Sequence, residues 1–411
     1  MKKTLLHSIT ALLLLLSGFV FAGCQDPIFE AIREDVKPEE ATVSGNISFI
    51  TRYTAGNEEF LVLAADDGLR YKHKDANSHG EWHSYGTPFS LHHYDFDTSS
   101  HSGEQILAVL ADSTTLYLIS AAYNHTSVEG TSYPSSINLY AKNITATGTE
   151  WNSSGDWVSL DTKIDGFEIF NIEVNSTTKY FTSLFRVFQT NSPKKEHRAA
   201  FISSYDSDNK VYKYFKLNGT SAPVSYSITK TDIIDPTPSS DADYVPRALS
   251  AVYFNGGYKF FTSTCATTNE TYTDEATYYY YTNSDSTFYC NNGSANVKEV
   301  KTRTVISSMA ICADSILIGH GYTYGISGGI ERAPIINGVP KDDTSSSSFE
   351  TNAQFQLTEA YMILALLNAT PEKTEIDSSL YASITFSGAA SNFDNIGLWS
   401  YYPDRGNWNR E

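Results

Sequence analysis

The stretch Ile396-Gly397-Leu398-Trp399-Ser400, followed by Pro403-Asp404-Arg405-Gly406-Asn407-Trp408, decides the fold. A short apolar run meets a turn bearing Asp and Gly, and a tryptophan opens the next run, which is the pattern of strand, turn and strand. The same order stands near the start of the chain, in Asp67-Gly68-Leu69-Arg70-Tyr71, then Asp75, then Gly80-Glu81-Trp82. A third version lies between them, in Ile137-Asn138-Leu139-Tyr140, then Gly148-Thr149-Glu150-Trp151, with Gly155-Asp156-Trp157 after it. A structure that repeats a hairpin over most of its length is built from a recurring unit.

Outward from these copies, helical periodicity is almost absent beyond Gly45. Short runs rich in Val, Ile, Tyr, Phe and Thr recur between Gly, Asn, Asp and Ser clusters, among them Glu59–Ala65, Thr115–Ala122, Arg247–Phe254 and Leu380–Ser387. Thr358–Leu367 carries Leu, Ala and Met, but its continuous apolar run, ended by Asn368, reads as a buried strand. Grouping the strands in fours predicts an all-β propeller of six blades, with starts near Asn46, Leu91, Phe167, Arg247, Val305 and Tyr361. Seven blades is the alternative count. Tandem β-sandwiches are the rival architecture, but they need a linker near the middle, where the sequence shows no break.

A strand ending Gly-Leu-x-Tyr, a turn with Asp and Gly, then Trp, resembles the Asp-box repeat of sialidase-like propellers. The resemblance places each copy between the third and fourth strands of a blade. It makes Gly80, Trp82, Gly148, Trp151, Asp404, Gly406 and Trp408 structural residues of the turns. The copies are degenerate: Ser78 and Ala146 stand where the turn Asp falls, and Trp408 comes one residue early. A sialidase-like enzyme would need three arginines on a carboxylate, a Tyr-Glu pair and an acid/base Asp. Arg52, Arg70, Arg186, Arg198, Arg247, Arg303 and Arg332 are scattered, and the early Arg-Ile-Pro signature is absent. Gly325-Ile326-Ser327-Gly328-Gly329 matches Gly-x-Ser-x-Gly in letters, but no helix follows the serine as a nucleophile elbow requires. No catalytic set is expected.

The N-terminus speaks of export. Met1-Lys2-Lys3 precedes the apolar run Ala11–Leu16, too short to span a bilayer unaided. Phe21-Ala22-Gly23-Cys24 resembles a lipobox, which implies cleavage before Cys24 and acylation of that cysteine. The chain then divides into a signal peptide (1–23), an acylated tether (24–43) and one propeller (44–411). The implied partner is a membrane, through acyl chains on Cys24. Gln25 in place of Asp points to the outer membrane under the sorting rule of diderm lipoproteins.

Net charge is −18, and the signal peptide carries Lys2 and Lys3 away. That balance argues against nucleic acid or an anionic lipid surface as a ligand. Of the cysteines left after Cys24, Cys265 and Cys290 flank a Tyr-rich stretch and form the candidate disulfide, while Cys312 sits in an apolar run as a small core residue. His73, His79, His83, His92, His93 and His101 share one window with Asp95 and Asp97. His92, His93 and Asp95 are the candidate ligands for a metal ion; no other cofactor is expected. The function expected is a non-catalytic binding or scaffold module with a protein or glycan ligand. The alternatives are a carbohydrate-active hydrolase on the same fold and a structural subunit of an envelope complex.

Overall fold

The structure is a computed structural model. It describes residues 43, 45, 47–65, 67–75, 82–126, 134–164, 167–170, 185–206, 211–226, 247–254, 256–264, 267–268, 271–272, 276–282, 297–302, 306–320, 322–323, 326–327, 329–337, 339–340, 345–347, 349, 361–386 and 396–411. Gly80, Cys265, Cys290 and the segment holding Cys24 lie outside them.

Among the described residues, the main strands fall into six antiparallel blades. Blade 1 is Ile50–Ala55, Glu58–Ala65, Gly68–His73 and His83–Tyr85. Blade 2 is Glu104–Ala111, Leu116–Ala122, Ser136–Lys142 and Val158–Ser159. Blade 3 is Phe185–Asn191, Ala200–Asp206, Val211–Asn218 and Ser221–Tyr226, and blade 4 is Arg247–Phe254, Gly257–Thr264, Ala276–Thr282 and Val297–Thr302. Blade 5 is Ile306–Ile311, Ser315–His320 and Ile330–Ile336, with Val339–Pro340 and Ser345–Ser346 sharing the fourth position. Blade 6 is Tyr361–Asn368, Leu380–Phe386, Gly397–Tyr402 and Asn407–Arg410.

The protein is a six-bladed β-propeller. The first strands touch in order around a ring, blade 6 returning to blade 1. First strands of a propeller all run the same way along the axis, and those of blades 3 and 4 come close enough to pair in parallel, Thr190 with Ala251 and Asn191 with Val252. Pairing of the first and second strands slips by one residue at Ile106/Ala108, Ala248/Ser250, Ile306/Ser308 and Ile363/Ala365. The same irregularity in four blades adds local twist where each blade meets the axis.

Two of the expected blade starts need correction. The region around Leu91 holds a small three-stranded sheet, His93–Asp95, Ser100–Ser102 and His125–Thr126, and blade 2 begins at Glu104. Phe167 lies in a short hairpin with Lys163–Ile164, and blade 3 begins at Phe185. Both insertions are β-rich, so composition alone does not separate them from the blades.

Alternation along single strands sends each residue to a different neighbour. In blade 1, Tyr71 faces blade 2, where its ring lies on Trp151 at 4.3 Å and 2°. The next residue, Lys72, turns the other way into the interface with blade 6. There its ammonium, fully buried, meets the Glu411 carboxylate at 2.8 Å. Trp82 Nε1 donates to the same carboxylate at 2.7 Å. Around this knot pack Ile50, Leu61 and Leu63 of blade 1, Leu367, Tyr381 and Leu398 of blade 6, and Val43 and Ile47 from the entering chain. Blades 6 and 1 belong to separate sheets, so the ring closes at this seam mainly by side-chain contact.

Breaking a buried ion pair from one side strands the other charge in a dry site, at a cost of about 3 to 5 kcal/mol. Lys72→Ala is expected to lower unfolding free energy by that amount in denaturant titrations. Lys72→Met combined with Glu411→Gln is expected to recover most of it. A single-variant loss below about 1 kcal/mol, the size of an exposed pair, would show that the seam is held otherwise.

Candidate functional site

The turn tryptophans come first, because their placement decides what they are for. Trp151 is buried between blades 1 and 2, edge-on to Tyr53 and Phe60 and stacked on Tyr71. Trp408 is buried between blades 5 and 6 beside Phe349 and Tyr401, with Nε1 donating to the Phe349 carbonyl at 3.0 Å. Trp82 sits in the seam between blades 6 and 1. All three come after the third strand of their blade and serve packing. Gly148 and Gly406 take φ of +61° and +63°, a left-handed turn conformation that suits glycine. Asp404 is exposed, and the amides of Arg405 and Gly406 donate to the Tyr402 carbonyl instead of its carboxylate.

Of the histidine window, His79 lies outside the described residues, and the others divide between blade 1 and the inserted sheet. His73 and His83 lie in blade 1, against Phe60 and Tyr71 respectively. His92 and His101 meet in the inserted three-stranded sheet, Nε2 to Nδ1 at 3.0 Å, flanked by Tyr94 and Tyr123. His93 is exposed. Asp95 closes its own turn, accepting from the amides of Asp97 and Thr98; hydrogen bonds from Thr98 and Asp97 hold its carboxyl below the usual range. Among the described residues no three His, Cys, Asp or Glu side chains are placed to share a metal ion. Ser327 falls in a hairpin, Ile326–Ser327 against Tyr322–Thr323. Cys312 is buried, and burial pushes its thiol up to about 12, which suits a packing residue and not a nucleophile.

Among the described residues, a concave site forms where first strands turn into second strands. A cavity of about 720 Å³ opens there across blades 3 to 6, its walls including Lys194, His197, Tyr253, Phe254, Ile335 and Glu372. That volume suits a small organic ligand. The local sequence explains the walls. Asn191 ends the first strand of blade 3, and Pro193, with no amide to donate, takes the chain out of the ladder into Lys194-Lys195-Glu196-His197. His197 then lies flat on Tyr253 of blade 4, ring centroids 3.6 Å apart and 12° from parallel.

Beside the cavity the channel is cross-braced by polar groups. Arg52, from the first strand of blade 1, hydrogen-bonds the Ser192 carbonyl of blade 3. Arg198 reaches the other way, to Thr54 Oγ1 at 3.1 Å and to the Glu59 carboxylate. Lys74 also faces Glu59, at 3.3 Å. Asn191 spans to the Met309 carbonyl and to Ser250 Oγ. Burial pushes the Glu59 carboxyl up, but Arg198 and Arg52 outweigh it and hold it at about 2. Burial and the neighbouring Arg198 pull Arg52 down to about 9.

Sequence reasoning left Arg52 and Arg198 among scattered arginines and did not single out Lys194, His197, Tyr253 or Glu372. The run Pro193-Lys194-Lys195-Glu196-His197-Arg198 between two strands was the available signal. Its partners in blades 1, 4 and 6 are far away in sequence and leave no local trace.

No protein-family model matches the chain, and no curated protein matches it. Solved structures give low-identity likenesses. A B. megaterium levansucrase mutant is 12% identical, covering 79% of this chain and 92% of its own, with a TM-score of 0.39. A glycosyl hydrolase from Bacteroides ovatus is 9% identical, over 90% of this chain and 87% of its own, with a TM-score of 0.30. A polysaccharide lyase, an ulvan lyase, is 10% identical, over 91% and 86%, with a TM-score of 0.32.

The folded-state value of Glu59 lies below its value in an unfolded chain. The stabilisation it gives is therefore complete above about pH 4.5 and fades as pH falls toward 2. Glu59→Gln is expected to cost about 2 kcal/mol at pH 7, the quarter exposure of the carboxylate reducing its effect. The gap from wild type should shrink between pH 4.5 and 2 in melts across that range. A gap independent of pH would mean that Glu59 acts by shape alone.

Proposed function

We propose that this protein is an envelope lipoprotein, held by acyl chains on Cys24, whose propeller serves as a non-catalytic binding module. The observation that carries the binding part is the cavity between blades 3 and 6. It has a flat aromatic wall at His197 and Tyr253, apolar sides, and few polar groups, which is the make-up of a recognition site. Hydrolysis of a glycosidic bond needs two facing carboxyl groups. Among the described residues lining the cavity, Glu372 is the single carboxylate. The anchoring part rests on the sequence at Phe21–Cys24 and on acyl-chain energetics, each buried methylene contributing about 0.8 kcal/mol. Gln25 supports the outer membrane as the destination.

Metabolic labelling with an alkynyl fatty acid is expected to mark the wild type in the membrane fraction. Cys24→Ser is expected to be unlabelled and soluble. Label retained by Cys24→Ser would end the lipoprotein reading. For the cavity, Tyr253→Ala removes one of the two stacked rings, and any cavity ligand found by calorimetric screening should lose about tenfold or more in affinity. Ligands that ignore the change bind elsewhere.

A further inference from the structure

The end of the cavity at Pro193 and Lys194 carries a positive surplus in a protein of net charge −18. Lys194 is an exposed cation in the wall itself. Arg52 lies one peptide link behind that wall, on the carbonyl of Ser192, the residue before Pro193. Arg198 follows directly on His197 of the wall. Two carboxylates stand against these three cations and Lys74. Glu59 is taken by Arg198 and Lys74. Glu372 stands in the wall, and its charge acts on Arg52. Lys195 and Glu196, exposed in the same turn, offset one another.

Arg52 is the less fully compensated group. It is 5% exposed, its hydrogen bond goes to a neutral carbonyl, and among the described residues Glu59 and Glu372 act on it only from beyond ion-pair distance. A buried cation whose carboxylates stand beyond ion-pair distance is incompletely compensated, and a closer anion relieves it. Arg198 is also incompletely used: its Nε is buried with no acceptor. Next to this end, the stacked rings of His197 and Tyr253 and the side chain of Phe254 form an apolar wall.

Resting on the reading of this cavity as a binding site, we infer that it takes small ring-bearing carboxylates. The carboxylate is drawn to the Lys194 and Arg52 end, and the ring lies along the aromatic wall. Glu372 sets the charge the site accepts. One negative charge balances Arg52 and Lys194 with Glu372 in place, whereas a dianion such as phosphate meets its repulsion.

Calorimetry on the full chain at low salt tests this with glucuronate and benzoate, each against its neutral counterpart, glucose or benzyl alcohol. The two acids distinguish a polar ring from a flat apolar one. Either acid is expected to bind at least about tenfold tighter than its neutral counterpart and tighter than inorganic phosphate, with the advantage falling as salt rises. Lys194→Ala is expected to weaken the acid by about threefold to tenfold, and Glu372→Gln to strengthen it by a similar factor. Both positions are exposed, so unchanged melting temperatures verify folding. Neutral ligands binding as tightly as acids, or Glu372→Gln weakening the acid, would overturn the carboxylate preference while leaving the cavity a binding site. If neither acids nor neutral ligands bind, the binding reading falls with it.

Discussion

A ring of blades is only as sound as its last interface, and here that interface is centred on one buried carboxylate. Glu411 takes the ammonium of Lys72 and the indole N–H of Trp82, both from blade 1, while its backbone amide bonds the Leu398 carbonyl of blade 6. Lys72 completes the knot by lying over the rings of Trp82 and Tyr381, 5.6 and 5.8 Å from their centroids. Burial and Glu411 raise the Tyr381 hydroxyl well above its ordinary value, so it stays protonated and shares a hydrogen bond with Tyr402. The charge is expensive to bury and is therefore fully surrounded. Apolar contact alone would join the blades, but these directional bonds also fix their register.

The same economy appears along the axis. A six-bladed ring leaves a central space that apolar side chains alone would not seal without a void. Arg52, Gln189, Asn191 and Arg198 instead reach across it to the carbonyls and hydroxyls of other blades. These braces make blade 3 the hub: its first-to-second connection meets blade 1 on one side and blade 4 on the other. They also bring guanidinium groups to the edge of the cavity. The ring's stability and the electrostatics of its candidate site thus share residues, and the low effective dielectric that makes the braces strong also amplifies their effect on a ligand.

The blades were legible where local chemistry speaks. Arg247 and Tyr361 open blades where the sequence predicted, because each starts a mostly apolar run after a polar stretch of sequence. Continuous runs are buried on both faces, as propeller first and second strands are. Fourth strands were harder: Val158–Ser159 and His83–Tyr85 are short and partly exposed, so they carry neither alternation nor apolar content. Leu91 and Phe167 misled because inserted hairpins obey the same turn rules as blades. The site was legible only in fragments. Tyr253 reads as an ordinary strand residue, and its stacking on His197 depends on two first strands pairing in parallel, a contact between segments more than fifty residues apart.

Closing the ring by contact also has a mechanical side. Val43 and Ile47, the chain's entry into the domain, are buried in the seam between blades 6 and 1, and the Val43 amide points to the Glu411 carbonyl. Force applied to the chain ahead of Val43 would therefore arrive first at the joint that holds the circle shut. Blades that shared strands would spread that load over a ladder of backbone bonds pulled in shear. In this arrangement a few side chains bear it, so sustained traction on the chain at Val43 would open the ring at that joint before any blade came apart.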